Sequence, residues 1–102
     1  MIHIELTPRR LSVDGHAGCG ERGKDIVCAA VSALVQNLIG SLKALTEDQI
    51  SARAEPGHAN IEYGDLSEQG RLLMDSFFLG VCSIADSYPE HVKITGCGAD
   101  GQ

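Results

Sequence analysis

Residues 25–45 read DIVCAAVSALVQNLIGSLKAL, a stretch that is apolar around almost its whole circumference when it is wound as a helix. Asp25 is a residue type that caps helix N-termini well, and Thr46 breaks the pattern, so we predict a helix from Asp25 to about Leu45. A helix that is apolar on every side is buried on every side. We therefore expect it to run through the centre of the fold or against a partner subunit.

Short segments of alternating apolar and polar residues lie on both sides of this helix. Before it, residues 1–6 and 11–16 alternate around a Thr-Pro turn and predict a hairpin. After it, residues 49–54 and 59–63 flank a segment whose Pro-Gly pair favours a turn, which predicts a second hairpin. Two hairpins that share one long apolar helix indicate a sheet packed on that helix.

A second helix is predicted from Ser67, its N-cap, to about Tyr88. Its apolar face is wider than a single sheet needs, so it either packs on the first helix as well or forms part of a dimer interface. Residues 91–94 could add an edge strand. The predicted order is ββαββα with a possible C-terminal edge strand, an α+β fold with an antiparallel sheet packed against two helices.

Length and charge limit the kinds of protein that the chain can be. Its 102 residues suit a single domain, which we place at residues 1–94, followed by a flexible tail at 95–102. The net charge of -6 disfavours direct binding to nucleic acid and suits a basic protein partner. The N-terminus does not resemble a secretory signal, and we expect no apolar run of membrane-spanning length. We therefore expect a cytoplasmic protein with reduced cysteines and no contact with a membrane.

Cys28 is the first candidate for chemistry, because it lies three residues after the predicted helix start. The helix dipole and the amides of the first turn stabilise a thiolate at such a position. His16 lies at the other end of a glycine-rich loop that could fold back and bring the imidazole to the thiol. The alternative is that Cys28 is simply a small core residue.

Several neighbours of Cys28 could support catalysis. Asp25 could orient His16 or only cap the helix, and Ser32 could donate a hydrogen bond in the site or bond to its own helix backbone. Backbone amides at a helix start beside a glycine-rich loop are suitable donors for an oxyanion, although the loop could also be a surface connector. The candidate residues of this loop and helix start are Gly15, Ala17, Gly23, Ile26 and Val27.

Two other functions are disfavoured by the same segment. Residues 18–25 approach a phosphate-binding loop, but Asp25 stands where a Ser or Thr would bind magnesium, and its charge would repel phosphates. The sequence has no CxxC or HxxxH motif, and a zinc site from His16, Cys19 and Cys28 would need an unusual loop geometry. We therefore expect neither a cofactor nor a metal.

The motif formed by Gly15-His16-Ala17, Gly23 and residues 25–32 (DIVCAAVS) resembles the ribosomal-processing cysteine protease family Prp. The resemblance implies a homodimeric cysteine endopeptidase with Cys28 as nucleophile, His16 as base, and Asp25 and Ser32 in support. It implies as substrate the precursor of a large-subunit ribosomal protein, the one numbered twenty-seven, whose N-terminal extension is removed. Because cleavage in this family follows a pair of aromatic residues, an apolar cleft is implied near Cys28. The alternative function is a non-catalytic, ribosome-associated binding protein.

Overall fold

The computed structural model describes residues 1–15 and 26–96. They form a sheet and two helices in the predicted order, and the possible C-terminal edge strand is present, so the α+β fold class is confirmed. In chain order the elements are β1 (Ile2–Leu6), β2 (Arg10–Asp14), α1 (Ile26–Leu45), β3 (Ile50–Glu55), β4 (His58–Tyr63), α2 (Glu68–Ser87) and β5 (Val92–Thr95).

The five strands lie in the order β3-β4-β2-β1-β5. Neighbouring strands are antiparallel except β5, which runs parallel to β1, so the sheet is mixed rather than wholly antiparallel. The parallel pairing of β5 with β1 follows from the helix that connects β4 to β5. Helix α2 carries the chain from the end of β4 back across the sheet, so β5 runs in the same direction as β4 and β1.

The sheet has one apolar face and one polar face. In β1, β2 and β4, every second residue is buried, as the alternation in the sequence predicts. Ile4, Leu11 and Ile61 are almost fully enclosed between the sheet and the helices. Each such side chain stabilises the fold by about 1.5–3 kcal/mol, so this single layer between sheet and helices holds the domain together.

Within the single chain, helix α1 is buried on one side only, so it does not run through the centre of the fold, and its packing against a partner subunit stays a prediction. Its buried residues recur every three or four positions, whereas Ile26 at its start is 60% exposed and Leu45 at its end is 69% exposed. Much of the exposed side consists of small residues, among them Ala29, Ala33 and Gly40, which cost little to leave in water. The buried set is Val27, Val31, Val35, Leu38 and Leu42.

By length and composition alone, α1 could cross a membrane, since it has 20 residues and an 18-residue window of mean hydropathy 1.6. The expectation that no run reaches membrane-spanning length was therefore wrong. Such a helix is weak evidence for a membrane span, because the core helix of a soluble domain passes the same test. Its valine and leucine stripe packs on the sheet in this fold.

Helix α2 begins as predicted at an N-cap, Ser67, whose hydroxyl accepts a hydrogen bond from the Gly70 amide at 3.0 Å. The two helices pack against each other, as one of the two predicted alternatives requires. Gly80 permits this close approach, because a Cβ placed there would lie 2.9 Å from Cδ1 of Leu34. The α1–α2 pair therefore covers the apolar face of the sheet.

Candidate active site

Cys28 is the third residue of α1 and is half-buried. Val27, just before it, is part of the core and fixes the start of the helix against the sheet. Backbone amides in the first turn of a helix have no partner within the helix, and the dipole is positive there. The Cys28 thiol therefore lies at the end of α1 where the helix dipole favours negative charge.

A cleft of about 420 Å³ opens beside Cys28, between α1 and one end of the sheet. Its helical wall extends over more than two turns of α1, which is roughly 12 Å at 1.5 Å per residue. Such a length matches three or four residues of an extended peptide. The wall consists of Cys28, Val31, Ser32, Val35 and Gln36.

The floor of the cleft is formed by the end of the apolar face of the sheet. Ile2, Val13 and Ala59 contribute to it, and Ala54 on the edge strand β3 lies directly opposite Ala59 in the strand register. The other wall is the turn at residues 55–58 between β3 and β4. An apolar cleft thus lies beside Cys28, where the family resemblance implies one.

The turn that forms this wall is attached to the end of β2. The Gly15 amide donates a hydrogen bond to the Gly57 carbonyl at 2.9 Å, and Gly15 has a positive φ of 99°. On the polar face of the sheet, the His58 imidazole contacts the Asp14 carboxylate. That contact, together with the Ser12 hydroxyl, holds the pKa of Asp14 below its usual value.

Of the predicted site residues, the structure describes Gly15, Ile26, Val27, Cys28 and Ser32. Cys28 and Ser32 lie one helical turn apart and line the same cleft, and Gly15 lines it from the sheet. The remaining predicted residues, His16, Ala17, Gly23 and Asp25, lie outside the described residues. The Cys–His pair and the role of Asp25 therefore stay predictions.

Sequence reasoning missed the other side of the cleft. Gln36 follows Cys28 by eight residues and Ser32 by four, a spacing that places all three along one side of α1, so this residue could have been found. Ala54 and Ala59 carry no local signal, because only the pairing of distant strands brings them to the site. His58 is exposed and contacts Asp14.

Within residues 1–15 and 26–96, no three His, Cys, Asp or Glu side chains are close enough together to hold a metal ion. The described part of the cleft offers a thiol, a hydroxyl, a side-chain amide, the Glu55 carboxylate and the His58 imidazole, and backbone amides lie at the start of α1. These groups suit nucleophilic attack and hydrogen bonding to an acyl group.

A half-buried thiol at a helix start, opening on a cleft of peptide dimensions in an α+β domain, is the arrangement of a cysteine-type hydrolase. The sequence profile of the family described as "Cysteine protease Prp" matches residues 1–93. The chain belongs to this family of cysteine proteases, which confirms the resemblance.

Relatives and solved structures agree with this assignment. The chain is 31% identical over 97 residues to the ribosomal processing cysteine protease Prp of Mycoplasma genitalium, covering 92% of this chain and 94% of that one. It is 29% identical over 85 residues to the Prp of Staphylococcus aureus, covering 80% of each chain. The crystal structure of the S. aureus protease in complex with a covalently linked product peptide superposes with a TM-score of 0.86 at 26% identity, covering 92% of this chain and 97% of that one.

Proposed function

We propose that this protein is the endopeptidase that removes the N-terminal extension of a ribosomal protein precursor, the large-subunit protein numbered twenty-seven. The observation that carries the proposal is the position of Cys28, at the start of α1 and beside the apolar cleft. The S. aureus relative, a ribosomal processing protease, holds a covalently linked product peptide. A net charge of -6 favours encounter with a basic ribosomal protein.

In the proposed reaction His16 accepts the proton of the Cys28 thiol, and the thiolate attacks the carbonyl carbon of the scissile peptide bond. The C–N bond then breaks, and His16 returns the proton to the leaving amine. Water hydrolyses the resulting thioester and frees the enzyme. Asp25 orients His16 and balances its positive charge, and Ser32 supports the site from the next turn of α1.

The oxyanion formed during this reaction needs hydrogen-bond donors that are already in position. Backbone amides at the helix start, at Ile26, Val27 and Cys28, are the donors we assign to it. Gly15, Ala17 and Gly23 belong to the loop that contacts the substrate. Gly15 ends β2 beside the cleft, so the loop leaves the sheet at the site itself.

The proposal also covers the domain, the location and the oligomeric state of the protein. Residues 1–94 act as one cysteine protease domain, and residues 95–102 form a flexible tail. The protein works in the cytoplasm, needs no cofactor, and binds neither nucleic acid nor a membrane. It is a homodimer. Leu72 and Leu79 support a dimer, because they lie seven residues apart on α2 and are 69% and 70% exposed. Analytical ultracentrifugation of the parent and of Leu72→Lys measures the oligomeric state directly.

The test is cleavage of the purified precursor, or of a peptide that spans its extension, followed by mass spectrometry. We expect the parent to cut one bond after the pair of aromatic residues. Cys28→Ala should abolish cutting, and His16→Ala should reduce it by at least about 10². Cys82→Ala is the matched control, because Cys82 is also a half-buried helical cysteine but does not line the cleft.

No cutting by the folded parent would reject the protease function. Retention of full activity by Cys28→Ala would reject the proposed nucleophile. If the parent binds the precursor or the ribosome without cutting, the alternative of a non-catalytic, ribosome-associated binding protein becomes the better description.

A further inference from the structure

Strand β3 is an edge strand, and it reaches the cleft that contains Cys28. It lies at one end of the sheet order β3-β4-β2-β1-β5, so β4 is its neighbour on one side. Its last two residues, Ala54 and Glu55, line the cleft, whereas no residue of β5, the strand at the opposite edge, does so. The open edge of β3 therefore ends at the cleft.

The hydrogen bonds of the sheet decide which backbone groups of β3 point to this open edge. In an antiparallel pair, opposed residues alternate between exchanging both backbone hydrogen bonds and exchanging none. The Tyr63 amide donates to the Arg9 carbonyl at 3.0 Å, just before β2, so it points away from β3. Ile50 lies opposite Tyr63, and Ala54 lies four residues after Ile50, so both belong to pairs that exchange none. The amide and the carbonyl of Ala54 therefore point outward.

The turn between β3 and β4 leads to the same register. Glu55 and His58 are paired across the two-residue turn at 56–57, and residues in this position exchange both hydrogen bonds. Ala54, the next residue along β3, thus makes no backbone hydrogen bond to β4. Of the strands that the structure describes, none pairs with the other side of β3. Because Ala54 is exposed, its amide and carbonyl are accessible to a bound chain.

An outward amide and carbonyl on an edge strand form a template for a further extended chain. The occupant that fits this edge is the substrate, because Ala54 lines the same cleft as Cys28. On the side of α1, Ser32 and Gln36 are exposed and line the cleft as well. The backbone of a bound peptide would therefore find polar groups both on β3 and on α1.

We propose that the substrate binds as an additional strand on the open edge of β3. The Ala54 amide donates to a substrate carbonyl, and the Ala54 carbonyl accepts from a substrate amide. The inference rests on the proposed function and deepens it, since it names the backbone groups that hold the chain to be cut. Pairing of this kind depends on the backbone of the substrate, and it fixes the course of that backbone past Cys28.

Ala54→Pro tests the donated hydrogen bond, because proline has no amide proton. The sheet loses no hydrogen bond in this variant, and proline is tolerated at edge positions of this kind. Ala52→Pro is the matched control, since its amide also points outward but Ala52 does not line the cleft. In cleavage of a peptide that spans the extension, Ala54→Pro should lower kcat/KM about three- to tenfold, mainly through KM. Ala52→Pro should lower it by less than about twofold.

Amide hydrogen exchange, followed by NMR, tests the pairing without any change in β3. In the free protein the Ala54 amide should exchange rapidly, whereas the amides of Arg53 and Glu55, which belong to bonded pairs with β4, should be protected. The extension peptide is then added to Cys28→Ala, so that it is bound but not cut. Binding should slow exchange at Ala54 by at least about tenfold and leave exchange at Ala52 unchanged.

A covalent probe fills the cleft where the extension peptide does not bind. The Cys28 thiolate of the parent displaces chloride from the chloromethyl ketone of N-acetyl-trialanine, forming a C–S bond and releasing chloride ion. Peptide mapping by mass spectrometry identifies the protein that is alkylated at Cys28. The same protection of the Ala54 amide is expected in this adduct.

The outcomes separate the edge pairing from the proposed function. Protection of Ala54 in the adduct, without cutting of the precursor, supports the pairing and rejects the proposed substrate. An Ala54 amide that stays unprotected with peptide bound, or a folded Ala54→Pro with unchanged kcat/KM, overturns the pairing and leaves the proposed function intact. If Cys28 attacks neither the precursor nor the ketone, the nucleophile is rejected and the inference with it.

Discussion

The Asp14 carboxylate contacts the His58 imidazole from the directly opposed position on the neighbouring strand. Asp14 is the last residue of β2, and His58 is the first residue of β4. The contact therefore joins the end of β2 to the turn that forms one wall of the cleft. Together with the hydrogen bond between Gly15 and Gly57, it holds that wall in place from the polar face of the sheet.

We predict that Asp14→Asn weakens this attachment and makes stability less dependent on pH. Because His58 lowers the pKa of Asp14 from its usual 3.8, the contact stabilises the folded state above about pH 4. The contribution is lost as the pH falls through the lowered pKa. Both side chains are about half exposed, so the loss at pH 7 should be about 0.2–1 kcal/mol.

Urea unfolding at pH 7 and at pH 3 measures this effect, with Asp86→Asn, an exposed position on α2, as the control. The parent and Asp14→Asn should differ at pH 7, and the difference should be smaller at pH 3. If the free energies of unfolding of the two proteins differ equally at pH 7 and at pH 3, the effect comes from packing rather than from the ionised carboxylate.

Gly15→Ala should destabilise the protein at the edge of the site. Gly15 has a φ of 99°, and a Cβ placed there would lie 2.3 Å from the carbonyl oxygen of Met1. An alanine in this conformation costs about 1–3 kcal/mol before the clash is relieved. The measurement is the melting temperature, which should fall by several degrees.

Gly40→Ala is the matched control for this glycine. Gly40 lies within α1, and a Cβ there meets nothing within 4 Å. Since alanine is favoured over glycine in helices by about 0.8–1.0 kcal/mol, this variant should be more stable than the parent. An unchanged melting temperature in Gly15→Ala would contradict the backbone strain that we assign to the end of β2.

Much of the fold could be predicted from local patterns, because period-two and helical alternations depend only on neighbours along the chain. Ser67 was found as the cap of α2, and the Pro-Gly turn was found between β3 and β4. The one-sided burial of α1 could not be predicted, because small residues such as Ala33 are apolar and yet remain exposed. Composition does not distinguish a small residue in the core from one on the surface.

The site was predictable on its helical side only. The position of Cys28 follows from the predicted helix start, and the turn at residues 55–58 is predicted by its Pro-Gly pair. That this turn lies beside Cys28, however, depends on the pairing of β4 with β2 rather than with a strand that comes later in the chain. This pairing joins residues more than forty positions apart, such as Asp14 and His58. No local pattern encodes this strand pairing, so the sequence does not predict that Ala54 and Ala59 line the cleft.

Tyr63 should ionise only in strongly alkaline solution. Its hydroxyl donates a hydrogen bond to the Thr7 carbonyl at 2.8 Å, and burial raises its pKa to about 12 from the usual 10. Its contribution to stability is therefore complete below about pH 10 and is lost as the pH rises toward 12. Absorbance at 295 nm after a rapid pH jump measures the ionisation.

The chain contains two tyrosines, so the variant Tyr63→Phe shows which of them produces the absorbance step near pH 12. This variant should lose the absorbance step near pH 12. If the step near pH 12 persists in Tyr63→Phe, the assignment of the buried phenol is wrong.

Ser67→Ala should loosen the start of α2. The Ser67 hydroxyl accepts from the Gly70 amide and donates to the Asp48 carboxylate at 2.8 Å, and the same carboxylate accepts from the Ser67 amide at 2.9 Å. Loss of the cap should lower the free energy of unfolding by about 0.5–2 kcal/mol. Ser76→Ala, at an exposed position in the middle of α2, should change it by less than about 0.5 kcal/mol in chemical denaturation.

Ser32→Ala distinguishes a supporting residue from a bystander. Ser32 is exposed on α1, lies one turn after Cys28 and lines the cleft, so its replacement should leave the fold intact. If the hydroxyl donates one hydrogen bond to the bound acyl group, its loss should lower kcat/KM by up to about tenfold, far less than the loss of the thiol. Ser83→Ala on the exposed side of α2 is the control for the assay. An unchanged kcat/KM in Ser32→Ala would mean that the hydroxyl contacts only solvent or its own helix, and would leave Cys28 and the helix-start amides to act without it.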